Sequence, residues 1–376
     1  MTKILICNNL IYLNWKIKKI VYNNKNSIDS SIIAKVLTFE SSYLQRENCY
    51  VDRDPLTFIG SIINSKSPVD RTGYLEYYKM YYDPIPMYDN NFNESYEDIA
   101  LGRASQLWKN NDTVAVLFDG QVDSMVSCLS FIETKPNNKK LQIICLESMN
   151  DVDIPFSKEF VIKKNYEDFF HAKNLVPADL IVTSSNADLQ FIQSINTNVN
   201  QKDFSWKYLL FFAIKYLIND NWHLTEMKHE VKNFNIFLNN HSKQAPFVIR
   251  SFDDMLWWLT FAFGANQTNY IVPIKIIDST KSVKLKKVDL SKWVNFFNHD
   301  SWQLWHMKNY NSSRDVNILK KETESFVGNL VPFDKVTYKN INNLKSNPIT
   351  TSFLILDDGR IIYIDDLTID DVKEIL

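Results

Sequence analysis

The segment that follows one apolar run combines a glycine, two carboxylates and a serine in a spacing suited to phosphate chemistry. The run TVAVLF (113–118) leads directly into DGQVDS (119–124). In a loop between a strand and a helix, backbone N–H groups point toward a bound anion. Gly120 lets the backbone turn, Ser124 can donate a hydroxyl to a phosphate, and Asp123 can hold a magnesium ion that neutralises it. An ordinary helix N-cap, for which Asp and Ser are favoured anyway, is the alternative.

A second polar segment follows another apolar run further along the chain. DLIVTS (179–184) leads into SNAD (185–188). Ligands of parallel α/β sheets bind at the carboxyl ends of the strands. We therefore expect both polar segments at one edge of a sheet, where Asp188 supplies another oxygen to the same metal ion as Asp123.

Helical patterns and apolar runs alternate through the middle of the chain and provide the elements that position these segments. After the cap-type pair Glu94 and Ser95, apolar residues at helical spacing predict a helix: Tyr96, Ile99, Ala100, Ala104 and Leu107. Short apolar runs predict strands at 113–118, 141–147, 159–164 and 179–184. Alternation of this kind is typical of a parallel sheet with helical crossovers. The predicted fold class is α/β, with a five-stranded parallel sheet and flanking helices.

The flanking regions differ from this alternating pattern. In the first 75 residues, KILICNN (3–9), LIYLNW (10–15) and KKIVYNN (18–24) are interpreted as strands separated by Asn-rich turns. Helices are expected within 204–262, the last of them ended by Gly264. The tail SFLILDDGRIIYIDD (352–366) predicts a hairpin. The predicted division is a small β-rich N-terminal region (1–75), a nucleotide-loop domain (76–300) and a C-terminal extension (301–376).

The order of these segments resembles a known family. ESYEDIALGRASQLW (94–108) followed by VAVLFDGQVDS (114–124) is similar to the start of the synthetase domain of asparagine synthetases. These enzymes are PP-loop (N-type) ATP pyrophosphatases, whose loop is Ser-Gly-Gly-x-Asp-Ser. DLIVTSSNADLQF (179–191) resembles the later loop of the same family, and the resemblance covers about residues 76–260, more loosely to about 345. It implies an adenine nucleotide alpha hydrolase-like fold and adenylation of a carbonyl oxygen with ATP and Mg²⁺, followed by attack of ammonia or an amine.

The resemblance also implies roles for particular residues. The pyrophosphate loop would consist of Asp119, Gly120, Gln121, Asp123 and Ser124. The magnesium carboxylates would be Asp123 and Asp188. The residues around adenine, ribose and the second loop would be Leu117, Phe118, Leu146, Ser184, Ser185 and Asn186. Lys320 and Lys321 are candidates for a catalytic lysine facing the phosphates, with a solvated helix face as the alternative. Lys335, Lys339 and Lys345 are equally possible candidates.

The chain departs from the family pattern at its most diagnostic positions. The first loop serine is Asp119 and the second glycine is Gln121, and a carboxylate facing pyrophosphate costs about 4 kcal/mol per charge pair at about 4 Å. Thr2 stands where glutamine-dependent members have a nucleophilic cysteine, so we expect free ammonia or an amine as nitrogen donor. Two interpretations stay open. One is an ATP- and Mg-dependent, AMP-forming ligase for a small-molecule carboxylate or carbonyl; the other is an inactive PP-loop-fold binding or structural module.

Composition excludes several other classes of function. Lys and Arg number 42 and Asp and Glu 44, a balance that gives no general case for a nucleic-acid partner or an anionic membrane. The four cysteines form no CxxC pair, and no apolar run is long enough to span a bilayer, so we expect a cytoplasmic protein.

In FFNHDSWQLWHMKNY (296–310), His299 and Asp300 suggest a metal or base pair, whereas an aromatic packing segment is the simpler interpretation. The sequence does not indicate an oligomeric state.

Overall fold

A computed structural model describes residues 4–7, 10–24, 59, 70–72, 84–146, 155–164, 178–184, 205, 207, 224–264, 289–313, 318–331, 353–356 and 358–375. In these residues the strands are β1 (Ile4–Cys7), β2 (Thr113–Phe118), β3 (Lys140–Leu146), β4 (Val161–Lys164), β5 (Leu180–Thr183), β6 (Trp293–Asn295), β7 (Phe353–Leu356) and β8 (Ile361–Tyr363). The α-helices are α1 (Leu10–Asn23), α2 (Tyr96–Lys109), α3 (Val122–Glu133), α4 (Leu224–Ser242), α5 (Phe252–Leu259), α6 (Asp300–Ser313), α7 (Ile318–Leu330) and α8 (Ile369–Ile375).

The chain forms two compact units, each assembled from separated stretches. The parallel-sheet unit contains Pro86–Gln190 and Thr268–Ile349. The antiparallel-sheet unit contains Met1–Ile85, Phe191–Gln267 and Thr350–Leu376. These units interleave along the chain, whereas the predicted segments 1–75, 76–300 and 301–376 are successive, and those boundaries stay a prediction.

Five parallel strands form the sheet of the parallel-sheet unit, in the order β4-β3-β2-β5-β6. The predicted α/β class and five-stranded parallel sheet are confirmed. Strand β2 lies at the centre, and Val114 to Phe118 are all buried, as expected for a strand covered on both faces. The fifth strand, β6, comes from a segment that was not predicted as a strand.

Helices α2, α3 and α7 pack together in this unit, and α3 also contacts β2 and β3. The predicted helix after Ser95 is confirmed as α2. The Ser95 hydroxyl accepts the N–H of Asp98 at 3.1 Å, and the Asp98 carboxylate accepts the N–H of Ser95 at 3.3 Å, which forms a capping box. Because the box fixes where α2 begins, it also fixes which apolar residues of α2 face the neighbouring helices α3, α6 and α7.

The antiparallel-sheet unit contains the predicted C-terminal hairpin. Strands β7 and β8 pair antiparallel, and Gly359 takes the left-handed backbone (φ 82°) that their tight turn requires. Strand β1 pairs antiparallel with β7, so that Ile4 lies opposite Leu356. This contact joins two ends of the chain, which no local sequence pattern could predict.

The expected strands at LIYLNW and KKIVYNN are wrong, since both lie in helix α1. Buried Ile17 and Val21 are four residues apart, which places them on one helical face. The structure also contains α4 and α5 within the predicted helical region, and a π-helical turn, Thr260–Gly264, ends at the predicted glycine. Within the described part of the chain, no helix has the length and apolar character needed to cross a membrane.

Candidate functional site

The predicted strand–loop–helix arrangement is present at the carboxyl end of β2. The strand ends at Phe118, and Gly120 turns the chain with a left-handed backbone (φ 84°). Gln121 occupies the N-cap position of α3 with an extended backbone and makes no side-chain cap hydrogen bond. The loop therefore places the amino end of helix α3 next to the carboxyl end of the central strand β2, and this geometry is typical of an anion-binding loop.

The carboxylate of Asp119 is bound within this loop. Its Oδ1 accepts the Ser124 hydroxyl at 2.6 Å and the backbone N–H of Gln121 at 3.1 Å. The Ser124 Oγ also lies 2.9 Å from the carbonyl oxygen of Gln121. These donors are the groups that the sequence assigned to a pyrophosphate, and in this arrangement they bind the loop's own carboxylate. The role of the loop in binding pyrophosphate stays a prediction.

Asp123 lies in the first turn of α3 and is 7% exposed. The hydroxyl of Tyr96 in α2 shares a 2.9 Å hydrogen bond with Thr323 in α7. Burial raises the pKa of Tyr96, and the negative charge of Asp123 raises it further, so this carboxylate lies within electrostatic reach of the phenol. Asp123 therefore lies in the part of α3 that is near the contact between α2 and α7.

The predicted metal partner of Asp123, Asp188, lies outside the described residues, as do Ser185 and Asn186. Among the residues that the structure describes, no group of three or more His, Cys, Asp or Glu is arranged to hold a metal ion. The pairing of Asp123 with Asp188 through magnesium therefore stays a prediction.

The residues expected beside adenine and ribose are at the strand ends, and two of them belong to the core. Leu117 and Phe118 are 8% and 1% exposed, and the Phe118 ring packs edge-on against Phe156 at 5.0 Å between centroids. Leu146 ends β3 opposite Lys164 of β4. The predicted contacts of these residues with adenine and ribose stay predictions.

Ser127, a residue that the sequence analysis missed, connects the first loop to the end of β5. Ser184, the first residue after β5, is 2% exposed, and its hydroxyl lies 2.5 Å from that of Ser127 in α3. The Ser127 hydroxyl also donates to the backbone carbonyl of Ser124 at 3.0 Å. The available signal was a row of serines three residues apart, Ser124, Ser127 and Ser130, in a helix whose other residues between Ser124 and Glu133 are apolar.

The lysine candidates lie on an exposed face of α7. Lys320 and Lys321 are both exposed, and the Lys320 ammonium lies 3.9 Å from the carboxylate of Glu324, one turn along the same helix. The surroundings of Lys320 are therefore those expected for a lysine on a solvated helix face. An ion pair of this kind contributes only about 0.3–0.5 kcal/mol to stability. A catalytic role for either lysine stays a prediction.

The segment containing His299 and Asp300 has the character of a packing segment. The His299 Nδ1 accepts the N–H of Ser301 at 3.3 Å, at the start of α6. Trp302 and Trp305 are buried, and their rings meet that of Tyr96 at 4.9 and 5.5 Å. These contacts favour the aromatic packing interpretation over a metal or base pair.

No family model, curated protein or solved structure matches this chain. The resemblance to the PP-loop ATP pyrophosphatases therefore depends on the residues of the two loops and on the order of the elements around them, and membership of that family stays a prediction.

Proposed function

We propose that the parallel-sheet unit is an adenine nucleotide alpha hydrolase-like scaffold of the PP-loop type whose first loop is closed by Asp119. In this proposal it acts as a binding or structural module and does not form AMP from ATP. The observation that carries the proposal is the acceptance of the Ser124 hydroxyl and the Gln121 N–H by the Asp119 carboxylate. A cytoplasmic location, inferred from cysteine use, is part of the same proposal.

The physical argument concerns both charge and donors. A pyrophosphate in this loop needs the donors that Asp119 already uses, so two hydrogen bonds must break before it binds. The carboxylate then faces a negatively charged group, at a cost of about 4 kcal/mol per charge pair at about 4 Å. Both effects act against nucleotide binding.

A second candidate is the ATP- and Mg-dependent, AMP-forming ligase, with a small-molecule carboxylate or carbonyl as substrate and ammonia or an amine as donor. The left-handed Gly120 and the position of Ser124 in the first turn of α3 favour it. It requires the Asp119 side chain to leave the loop, so that the Gln121 N–H and the Ser124 hydroxyl become available.

Thermal unfolding of the full chain with Mg-ATP or magnesium pyrophosphate distinguishes the two candidates. We expect no shift for the natural sequence, and a stabilisation of about 2.7 kcal/mol for Asp119→Ser at a hundredfold excess over its dissociation constant. Asp119→Asn is the matched control, since it removes the charge but keeps an acceptor for Ser124 and Gln121. A shift with the natural sequence, accompanied by release of pyrophosphate with candidate substrates, would establish the ligase instead.

A further inference from the structure

A chain of hydrogen bonds, part-buried at Asp119 and buried at the serines beyond it, runs from the first loop to the end of the neighbouring strand. It starts at Asp119, which accepts the Ser124 hydroxyl, and continues from the Ser124 carbonyl to the Ser127 hydroxyl. The Ser127 hydroxyl then shares a 2.5 Å hydrogen bond with that of Ser184. Ser124, Ser127 and Ser184 are 1%, 0% and 2% exposed. The serine part of the chain therefore lies in the interior, where water does not compete for these hydroxyls, whereas the bond from Ser124 to Asp119 is part-buried.

The elements that carry this chain are neighbours in the sheet. Strand β5 pairs directly with β2, with Val182 opposite Val116, and both strands end at the same edge. Ser127 lies one turn after Ser124 in α3, and α3 packs against β2. Burying a hydroxyl is unfavourable unless it is hydrogen-bonded. Because the Ser127 hydroxyl meets this need with partners in two different elements, it restricts how those elements can move apart.

We propose that Ser127 is a positioning residue that ties the first loop to the end of β5, so that these two strand ends keep one spacing. This inference deepens the proposed function, because it concerns the same edge of the sheet. It assigns Ser127 no contact with a ligand. Its consequence is that a substitution at Ser184 weakens the closure of the loop at residues 119–121, although none of those residues is hydrogen-bonded to Ser184 directly.

Hydrogen exchange at the backbone N–H of Gln121, measured by NMR on the full chain without nucleotide, tests this coupling. The Gln121 N–H is bound to Asp119, so its exchange rate reports whether the loop is closed. We expect Ser127→Ala and Ser184→Ala each to raise this rate by about three- to tenfold, the range for one hydrogen bond. The double substitution should raise it no further than either single one, because both remove the same connection.

Ser130→Ala is the matched control, because Ser130 is also fully buried in α3 but donates only to Val126 in its own helix. It should leave exchange at Gln121 unchanged, and Ser127→Thr, which keeps a hydroxyl, should restore a slower rate than Ser127→Ala. Equal effects of Ser130→Ala and Ser127→Ala would overturn the proposal, as would a Ser184→Ala protein with natural exchange at Gln121. This result does not depend on nucleotide, so it can fail while the Mg-ATP experiment succeeds, and the reverse.

Discussion

The two edges of the parallel sheet each carry an aspartate that accepts backbone N–H groups, but the two side chains connect different parts of the fold. At the amino ends of the strands, Asp179 Oδ2 accepts the N–H groups of Asp112 and Thr113, both at 2.9 Å. At the carboxyl ends, Asp119 Oδ1 accepts the Gln121 N–H and the Ser124 hydroxyl. Asp179 joins the starts of β2 and β5, whereas Asp119 closes its own loop.

This comparison shows that a carboxylate bound to N–H groups is ordinary structural chemistry, and that its consequence depends on where it lies. Asp179 is at the edge opposite to the one where parallel α/β sheets bind ligands, and its hydrogen bonds join the starts of two strands. Asp119 is at the edge where such sheets do bind ligands, beside the amino end of α3. The same type of interaction there occupies a potential anion site.

The largest effect is expected from Phe118→Ala, which tests whether packing holds the carboxyl edge in place. The Phe118 ring is 1% exposed and packs against Phe156, so its removal should lower the free energy of unfolding by about 3–5 kcal/mol. Urea denaturation measures the loss. Met87→Ala, at a residue that is 92% exposed, should change stability by less than about 0.5 kcal/mol. A loss below about 1 kcal/mol for Phe118→Ala would favour a ring that is available to a ligand.

A smaller effect is expected from Gly120→Ala at the turn of the loop. Gly120 has φ 84°, and an alanine in this left-handed conformation costs about 1–2 kcal/mol. Gly102 is a control of the same residue type: it is exposed within α2, and nothing lies within 4 Å of an added Cβ. Gly102→Ala should therefore stabilise the protein by about 0.5–1 kcal/mol. If both substitutions change the urea midpoint in the same direction, the left-handed turn at Gly120 is not maintained in solution.

The elements of this edge were predictable to different degrees. The continuous apolar run 113–118 indicates a buried parallel strand, and the cap at Ser95 indicates the start of α2, because both patterns are local. Strand β6 has only three residues, Trp293–Asn295, which is too short to give a pattern of its own. Its place in the sheet depends on pairing with β5, more than a hundred residues earlier.

The site was less predictable than the fold because its details are set by side-chain orientation. Asp119 was expected to repel a pyrophosphate, but its sequence position does not reveal that it accepts the loop's own donors. The bond between Ser127 and Ser184 likewise requires the spacing between α3 and β5, which is determined by packing of the whole unit. The strand prediction at residues 10–24 failed because it depended on short apolar segments between Asn-rich turns, whereas the four-residue spacing of Ile17 and Val21 is typical of a helix.

The smallest effect is expected at the amino edge, where Asp179 lies on the surface. Hydrogen bonds from the N–H groups of Thr113 and Asp112 hold the pKa of Asp179 below its ordinary value of 3.8. Since the pKa is lower in the folded than in the unfolded state, the stabilisation is fully present well above pH 3.8 and disappears as the pH falls through the lowered value. Asp179→Asn should therefore reduce stability at neutral pH, and its difference from the natural protein should narrow in acid. Urea denaturation at several pH values measures this narrowing, with Glu159→Gln at an exposed position of the same unit as the control. A difference that stays constant with pH would mean that the amino edge does not depend on the charge of Asp179, and the contrast between the two aspartates would then concern geometry alone.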